Sequence, residues 1–142
     1  MNVKDVMTKH AECLSPTASL QTAAQRMKDL DVGSFPVCEY DRIVGIITDR
    51  DITVRGVCRG CDPKTTTVRE IMTSHVVFCF ENQEVHEAAR RMRSKQIRRL
   101  VVLDRNRQFV GMVSLGDLAM QSGDEHLAWE TLERVSEPAL SH

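Results

Sequence analysis

The heptapeptide Gly45-Ile46-Ile47-Thr48-Asp49-Arg50-Asp51 returns later in the chain, with the same pattern, as Gly111-Met112-Val113-Ser114-Leu115-Gly116-Asp117. Each copy reads glycine, two apolar residues, a hydroxyl residue, two variable residues and an aspartate. We therefore expect the same backbone path and the same polar pair to occur twice. The chain is a duplication.

The rest of the sequence keeps the register of these two copies. Val3-Lys4-Asp5-Val6-Met7-Thr8 matches Val68-Arg69-Glu70-Ile71-Met72-Thr73 at an offset of 65 residues. One extra residue near Gln108 shifts the offset to 66, which carries Asp51 onto Asp117. Self-similarity over this length is a stronger signal than any single motif.

On these residues the chain resembles a tandem pair of cystathionine-beta-synthase (CBS) domains, the regulatory unit also called a Bateman module. The resemblance covers roughly residues 1 to 123 and rests on the doubled Gly-h-h-Thr/Ser-x-x-Asp pattern. It implies a mixed α+β fold, with two β-α-β-β-α repeats packed in pseudo-two-fold symmetry. A repeat of about 60 residues is marginally stable alone, which also favours packing of the two.

The local patterns predict the elements of repeat one. We expect a short strand at 11–14, a helix capped by Thr17, a hairpin with strands at 35–40 and 43–48, and a short helix at 49–57. Repeat two is predicted to replay this order.

The repeats and their connections are assigned from the same register. Repeat one takes residues 1–60, the linker 61–67 and repeat two 68–123. Residues 124–142 are predicted to form an amphipathic helix and a tail, which have no counterpart in repeat one. This C-terminal helix could pack on its own repeat or on a second subunit.

The composition excludes several classes of protein. Apolar residues make up 42% of the 142-residue chain and charged residues 27%, which is typical of a globular protein. The net charge of −1 argues against a main role in nucleic-acid binding. Because no long apolar run or signal-peptide core is present, we expect a cytoplasmic protein without a membrane partner.

The polar pair of each heptapeptide suits a nucleoside phosphate. The hydroxyl of Thr48 or Ser114 ends a strand where backbone amides become free, which favours a phosphate. The carboxylate of Asp51 or Asp117 can accept hydrogen bonds from the two hydroxyls of a ribose. The alternative is that the aspartates only cap their helices and the hydroxyls only end their strands.

Members of the CBS family bind adenosine-containing ligands in clefts between paired repeats. By that resemblance Thr48 and Asp51 would share one cleft with Ile97, Arg98 and Arg99. Guanidinium groups form paired hydrogen bonds with phosphates, so this cleft is predicted to be the tighter site for a charged nucleotide. Alternatively, the two arginines lie on a solvated strand edge or form a salt bridge between subunits.

The second cleft would combine Ser114 and Asp117 with Val32, Gly33 and Ser34. These three residues offer only backbone groups and one hydroxyl, so the two clefts are expected to be unequal.

The leading hypothesis is a non-enzymatic sensor in signal transduction. The regulatory ligand is expected to be AMP, ADP or ATP, with NAD or S-adenosylmethionine as second choices; no cofactor or metal is required. No spacing suggests a catalytic triad or a metal-ligand cluster. Family pairs without an effector domain usually assemble through their helices, so we expect a homodimer.

The cysteines supply an alternative function. The β-α-β crossover would place the strands of Cys13 and Cys38 side by side, within reach of a disulfide. Cytosolic reduction favours two buried free thiols, with a redox-responsive disulfide as the hypothesis. Cys58 and Cys61 form a C-x-x-C where repeat one passes into the linker, without the further ligands that a zinc site needs. In this alternative, either pair signals stress and the nucleotide clefts are unused.

Overall fold

The computed structural model describes residues 1–9 and 12–138. The chain divides into two compact units. Unit 1 contains the described residues within Met1–Ala11 and Val77–His142, and unit 2 contains Glu12–Val76. In chain order the elements are α1 (Val3–Val6), β1 (Thr8–Lys9), α2 (Leu20–Leu30), β2 (Ser34–Glu39), β3 (Arg42–Thr48), α3 (Asp49–Asp51), a π-helical segment (Ile52–Val57), α4 (Val68–Ile71), β4 (Phe78–Phe80), α5 (Val85–Lys95), β5 (Arg99–Leu103), β6 (Phe109–Ser114), α6 (Leu115–Gln121) and α7 (Glu125–Ser136).

Unit 2 is built around the antiparallel hairpin of β2 and β3. Its turn places Tyr40 and Asp41 at φ of 53° and 63°, the left-handed region that tight hairpin turns require. One face of α2 packs on the hairpin because its apolar residues recur at helical spacing. The core of the unit consists of Leu14, Leu20, Ala23, Met27, Phe35, Val37, Ile47, Val68 and Ile71.

Two sequence predictions for unit 2 need correction at the helices. Helix α2 is capped by Ser19, whose side-chain oxygen accepts a hydrogen bond from the Thr22 N–H at 3.1 Å. Thr17 lies in the preceding turn, two residues before the capping position. The helix expected at 49–57 continues as a π-helix, where the Cys58 N–H donates to the carbonyl of Thr53.

The strand predicted at 11–14 is also wrong within its described part. Ala11 lies outside the described residues, and Leu14 makes one isolated parallel bridge to Val37. Its neighbours explain why the pairing stops. Pro36 on β2 has no N–H to donate, and Pro16 follows Leu14 almost at once.

Unit 1 contains a four-stranded sheet within the described residues, in the order β1-β6-β5-β4. Strands β4 and β5 are parallel, while β6 pairs antiparallel with both β5 and β1. Helices α5, α6 and α7 pack on one another over this sheet. The core includes Val3, Val6, Cys79, Val85, Ala88, Ala89, Met92, Leu100, Val102, Val113, Leu115, Leu118, Leu127 and Val135.

The compact units differ from the sequence repeats at their N-terminal ends. Val3 and Val6 open repeat one, yet they lie in the core of unit 1 with repeat two. Val68 and Ile71 open repeat two, yet they lie in the core of unit 2 with repeat one. We call the matched segments 3–8 and 68–73 the lead-in segments of repeats one and two. Each unit therefore contains the lead-in segment that opens the other repeat.

None of the helices in residues 1–9 and 12–138 combines the length and the apolar content that a bilayer crossing requires.

Candidate functional site

In unit 2 the site residues gather where β2 begins and β3 ends. The strand register places Ser34 opposite Thr48. The N–H of Asp49, the first residue of α3, donates to the carbonyl of Gly33 at 2.9 Å. Val32, the residue before Gly33, is exposed. The triplet 32–34 and the heptapeptide of repeat one are thus neighbours within one unit.

Unit 1 repeats this geometry with different side chains. Arg99 lies opposite Ser114, and the N–H of Leu115 donates to the carbonyl of Arg98 at 2.8 Å. Ile97 is partly buried against the core of the unit. The backbone arrangement is the same as in unit 2, but two guanidinium groups stand where unit 2 has a hydrogen atom and a hydroxyl.

The structure therefore brings each triplet together with the heptapeptide of its own unit. Arg98 and Arg99 neighbour Ser114, and Ser34 neighbours Thr48. The sequence paired them differently, placing the arginines with Thr48 and Asp51. That pairing joins residues of two units and stays a prediction.

In both heptapeptides the hydroxyl and the aspartate cap the helix reciprocally. The Thr48 N–H donates to Asp51 Oδ2 at 3.0 Å, and the Asp51 N–H donates to Thr48 Oγ1 at 3.0 Å. Ser114 and Asp117 make the same two bonds at 2.9 and 3.0 Å. The capping alternative left open by the sequence is thus present in both units.

Capping leaves part of each polar pair available to a ligand. The Ser114 oxygen accepts one hydrogen bond, while its own O–H remains a donor. Asp117 uses one carboxylate oxygen for the cap, and its second oxygen makes no hydrogen bond to any described residue. Asp51 differs, because Thr73 Oγ1 lies 3.4 Å from its second oxygen.

A cavity of about 650 Å³ opens beside this polar pair in unit 1. Its lining includes Arg98, Arg99, Ser114, Glu125, Trp129 and Leu132. The two arginines make no ion pair within residues 1–9 and 12–138, so both guanidinium groups are available to an anion. The volume lies in the range of small-molecule sites, about 300–1,000 Å³.

The glycine of each heptapeptide has a contact that the sequence did not identify. A Cβ on Gly45 would lie 2.6 Å from the sulfur of Met72 and 2.9 Å from the carbonyl oxygen of Thr73. A Cβ on Gly111 would lie 2.5 Å from the carbonyl oxygen of Thr8. The glycines therefore admit the lead-in strand, rather than a ligand, against the hairpin.

Helix α7 is the contribution to this site that sequence reasoning missed. The apolar spacing of Leu127, Ala128, Thr131, Leu132 and Val135 predicted the helix correctly, but it did not indicate that two of these residues, Ala128 and Leu132, line a cavity. Trp129 falls between those positions and lines the cavity. The sequence does contain one indication of this role: the only tryptophan of the chain lies off the apolar face of its predicted helix.

The structure joins Cys13 and Cys38 in a disulfide, whereas the sequence favoured two free thiols. Their Cα atoms lie 5.8 Å apart, because the bridge between Leu14 and Val37 holds the adjacent residues together. Among the described residues no group of three or more His, Cys, Asp or Glu side chains could hold a metal ion.

The remaining cysteines are free and differ in their surroundings. Cys58 is exposed and Cys61 is partly buried. Cys79 lies in the core of unit 1, where burial raises the pKa of its thiol to about 12, against a smaller opposing effect of the Arg91 charge. Cys79 is therefore an unreactive thiol at neutral pH.

Comparison with known proteins identifies the family. A family model described as CBS domain matches residues 3–55 and 68–123. The chain is 38% identical over 135 residues to the CBS domain-containing protein YhcV of Bacillus subtilis (strain 168), covering 95% of each chain.

Solved structures agree in fold. Hypoxic Response Protein I, solved with two coordinated zinc ions, is 32% identical with a TM-score of 0.78, and the match covers 85% of this chain and 98% of that one. The CBS domain pair of MJ0100, in complex with 5′-methylthioadenosine and S-adenosyl-L-methionine, is 27% identical with a TM-score of 0.75, covering 87% and 100%. The chain therefore belongs to the CBS domain family, and it carries two copies of the domain.

Proposed function

We propose that this CBS pair is a non-enzymatic regulatory module that binds an adenosine-containing ligand. The observation that carries the proposal is the pair of guanidinium groups of Arg98 and Arg99, which form no ion pair with a described residue and line, with Ser114, a cavity of about 650 Å³. The CBS pair of MJ0100 supports the ligand class, because that relative was solved with two adenosyl compounds.

Charge favours a phosphorylated ligand over the sulfonium compound. S-Adenosylmethionine carries a sulfonium, an ammonium and a carboxylate group, so it is a net cation and gains less from two arginines than an anion does. The phosphates of AMP, ADP and ATP gain charge-assisted hydrogen bonds from the same arginines. We therefore place adenine nucleotides first, and NAD and S-adenosylmethionine second.

Regulation requires that the ligand bind two states of the module with different affinity. We propose that the module is a homodimer and that bound nucleotide changes how it docks with itself or with an effector. Sedimentation with and without AMP measures this directly. An unchanged sedimentation coefficient at saturating AMP would exclude a change of assembly.

Thermal unfolding with AMP, ADP, ATP, NAD and S-adenosylmethionine tests the ligand. A compound present at 100 times its dissociation constant stabilises the native protein by about 2.7 kcal/mol. Replacing both Arg98 and Arg99 with glutamine is expected to reduce the shift most for ATP and least for AMP. Arg105→Gln, in the exposed turn before β6, is the matched control.

Two aspartate variants locate the site. Asp51→Ala and Asp117→Ala each remove a helix cap, so each is compared by its ligand-induced shift and not by its midpoint without ligand. Loss of the shift in Asp51→Ala supports the pairing predicted from the sequence. Loss in Asp117→Ala supports a site within unit 1. If no compound raises the midpoint of the wild type, the proposal fails.

A second candidate function rests on the disulfide between Cys13 and Cys38. In this alternative the module responds to oxidants and leaves its nucleotide site unused. Alkylation and mass spectrometry under reducing and oxidising conditions measure the thiol state. A change in compactness with thiol state, without any nucleotide effect, would favour the redox function over the nucleotide sensor.

A further inference from the structure

Helix α7 is held on unit 1 in a fixed orientation. Its buried face carries Leu127, Thr131 and Val135, which pack with α5 and α6. Asp124 caps its N-terminus by accepting the Leu127 N–H at 2.9 Å. Gln96 reaches its last turn, donating to the carbonyl of Arg134 at 3.3 Å. The opposite face is therefore presented to solvent in one orientation.

That outer face is apolar beside the cavity. Trp129 leaves 65% of its surface exposed and Leu132 leaves 38%. Both line the cavity that contains Arg98 and Arg99. Among the described residues, the lining thus combines a flat aromatic ring with two guanidinium groups that form no ion pair, and one acid, Glu125, leaves it net positive.

We infer that α7 provides the base-binding wall of the nucleotide site in unit 1, with the Trp129 indole stacked on the adenine ring and Arg98 and Arg99 on the phosphate. The inference rests on the proposed function and adds a residue to it. Charge complementarity selects the occupant: an apolar ring alone would suit another protein surface, but a ring beside two guanidinium groups matches a ligand with a flat base and an anionic phosphate.

The size of the cavity agrees with this occupant. A volume of about 650 Å³ accommodates a mononucleotide with its base and phosphate at separate ends. An indole needs no charge to stack on a base, and its two side-chain torsions make ordering inexpensive. Repeat one has no counterpart of α7, so the wall belongs to unit 1.

The chain reports on this contact itself, because Trp129 is its only tryptophan. Titration with AMP is expected to quench the fluorescence of the wild-type protein to saturation. In calorimetry, Trp129→Ala is expected to weaken AMP binding by about tenfold or more, and Trp129→Phe to retain most of the affinity. Trp129 is largely exposed, so the substitutions leave the core intact.

Met120→Ala is the matched control, since Met120 is exposed on α6 and does not line the cavity. It is expected to bind AMP and to quench as the wild type does. If AMP binds but the fluorescence is silent and Trp129→Ala binds within twofold of wild type, the inference fails while the proposed function stands. If no adenosine compound binds in calorimetry, both fail.

A second copy of this chain is the competing occupant of the wall. It would change the fluorescence with protein concentration in the absence of nucleotide. That outcome, together with a concentration-dependent sedimentation coefficient that Trp129→Ala abolishes, would overturn the inference.

Discussion

The segment that precedes the first long helix of each repeat is held against the hairpin differently in the two units. In unit 1, β4 and β5 form a parallel ladder of three residue pairs, from Phe78↔Val101 to Phe80↔Leu103. In unit 2 the equivalent segment makes one bridge, and a disulfide joins Cys13 to Cys38. A covalent bond thus stands where the other repeat uses backbone pairing. The two repeats therefore share the hairpin and differ in how the preceding segment is attached to it.

The two long helices of the repeats show the same contrast. Ala89 on α5 is fully buried in unit 1, where α7 packs on α5. Ala24, at the matching position of α2, is exposed in unit 2. The same sequence position is therefore a core position in one unit and a surface position in the other.

The largest expected effect on stability comes from substitutions in the two lead-in segments, which should destabilise different units. Val6→Asp would place an unpaired carboxylate in the core of unit 1, at a cost of about 4 kcal/mol or more. Hydrogen exchange followed by mass spectrometry is expected to show lost protection in 77–135, more than in 14–71.

Ile71→Asp is the matched variant, because Ile71 occupies the equivalent position and lies in the core of unit 2. It is expected to reverse the pattern. The opposite assignment of lost protection for the two variants would contradict the exchange of lead-ins.

The second effect concerns the disulfide. Cys13→Ser removes the cross-link between residues 25 apart, which in the chain-entropy model costs unit 2 about 3.5 kcal/mol under oxidising conditions. Urea unfolding of wild type and variant measures the loss. Adding a reductant should lower the wild type to the variant's level and leave the variant unchanged. Cys58→Ser, at an exposed free thiol, should behave as wild type.

A smaller effect tests whether α7 covers α5 while the matching face of α2 is exposed. Ala89→Leu would overpack a fully buried position and is expected to cost about 1–3 kcal/mol. Ala24→Leu should change stability by no more than about 0.5 kcal/mol, because its side chain is exposed. Thermal midpoints of the two variants compare the positions directly. Equal losses would mean that both helices are covered alike.

The smallest effect is a pH dependence in unit 2. Glu70 accepts hydrogen bonds from the Thr67 N–H at 2.7 Å and from the Thr67 hydroxyl at 3.1 Å, which lower the pKa of its carboxyl. A lowered pKa favours folding above the unfolded value of about 4.5, and the gain is lost as pH falls through the folded value.

Glu70→Gln is therefore expected to be less stable than wild type at pH 7, and the difference is expected to shrink at pH 3, below the unfolded pKa of about 4.5. Urea midpoints at the two pH values measure the difference. Glu133→Gln, on an exposed stretch of α7, is the control that should show no such change. A difference as large at pH 3 as at pH 7 would show that Glu70 acts other than through its charge.

The sequence predicted what local pattern determines. The heptapeptides end their strands and start their helices at Thr48 and Ser114 because a hydroxyl and an aspartate three residues apart form a capping box. The hairpins followed from apolar runs around a tight turn. Both are local interactions, so a single sequence specifies them.

What the sequence did not predict depends on distant residues. Val6 and Ile71 look alike in sequence, and only the chain path shows that each lies in the unit of the other repeat. Pro36 shortens a strand that lies far from it along the chain. Trp129 lines the cavity because α7 packs on unit 1. The apolar spacing of α7 predicts that the helix is packed, but it does not predict which surface the helix packs on.

The exchanged lead-ins have a consequence for synthesis on the ribosome. Unit 2 is one continuous stretch, so it can complete its core as soon as Ile71 leaves the exit tunnel. Unit 1 combines residues 1–9 with residues 77–138, so its first segment emerges long before α7 is synthesised. The segment with Val3 and Val6 is therefore made before the residues that cover it, and a nascent chain carries these two valines without their partners from 77–135 until that stretch has been synthesised.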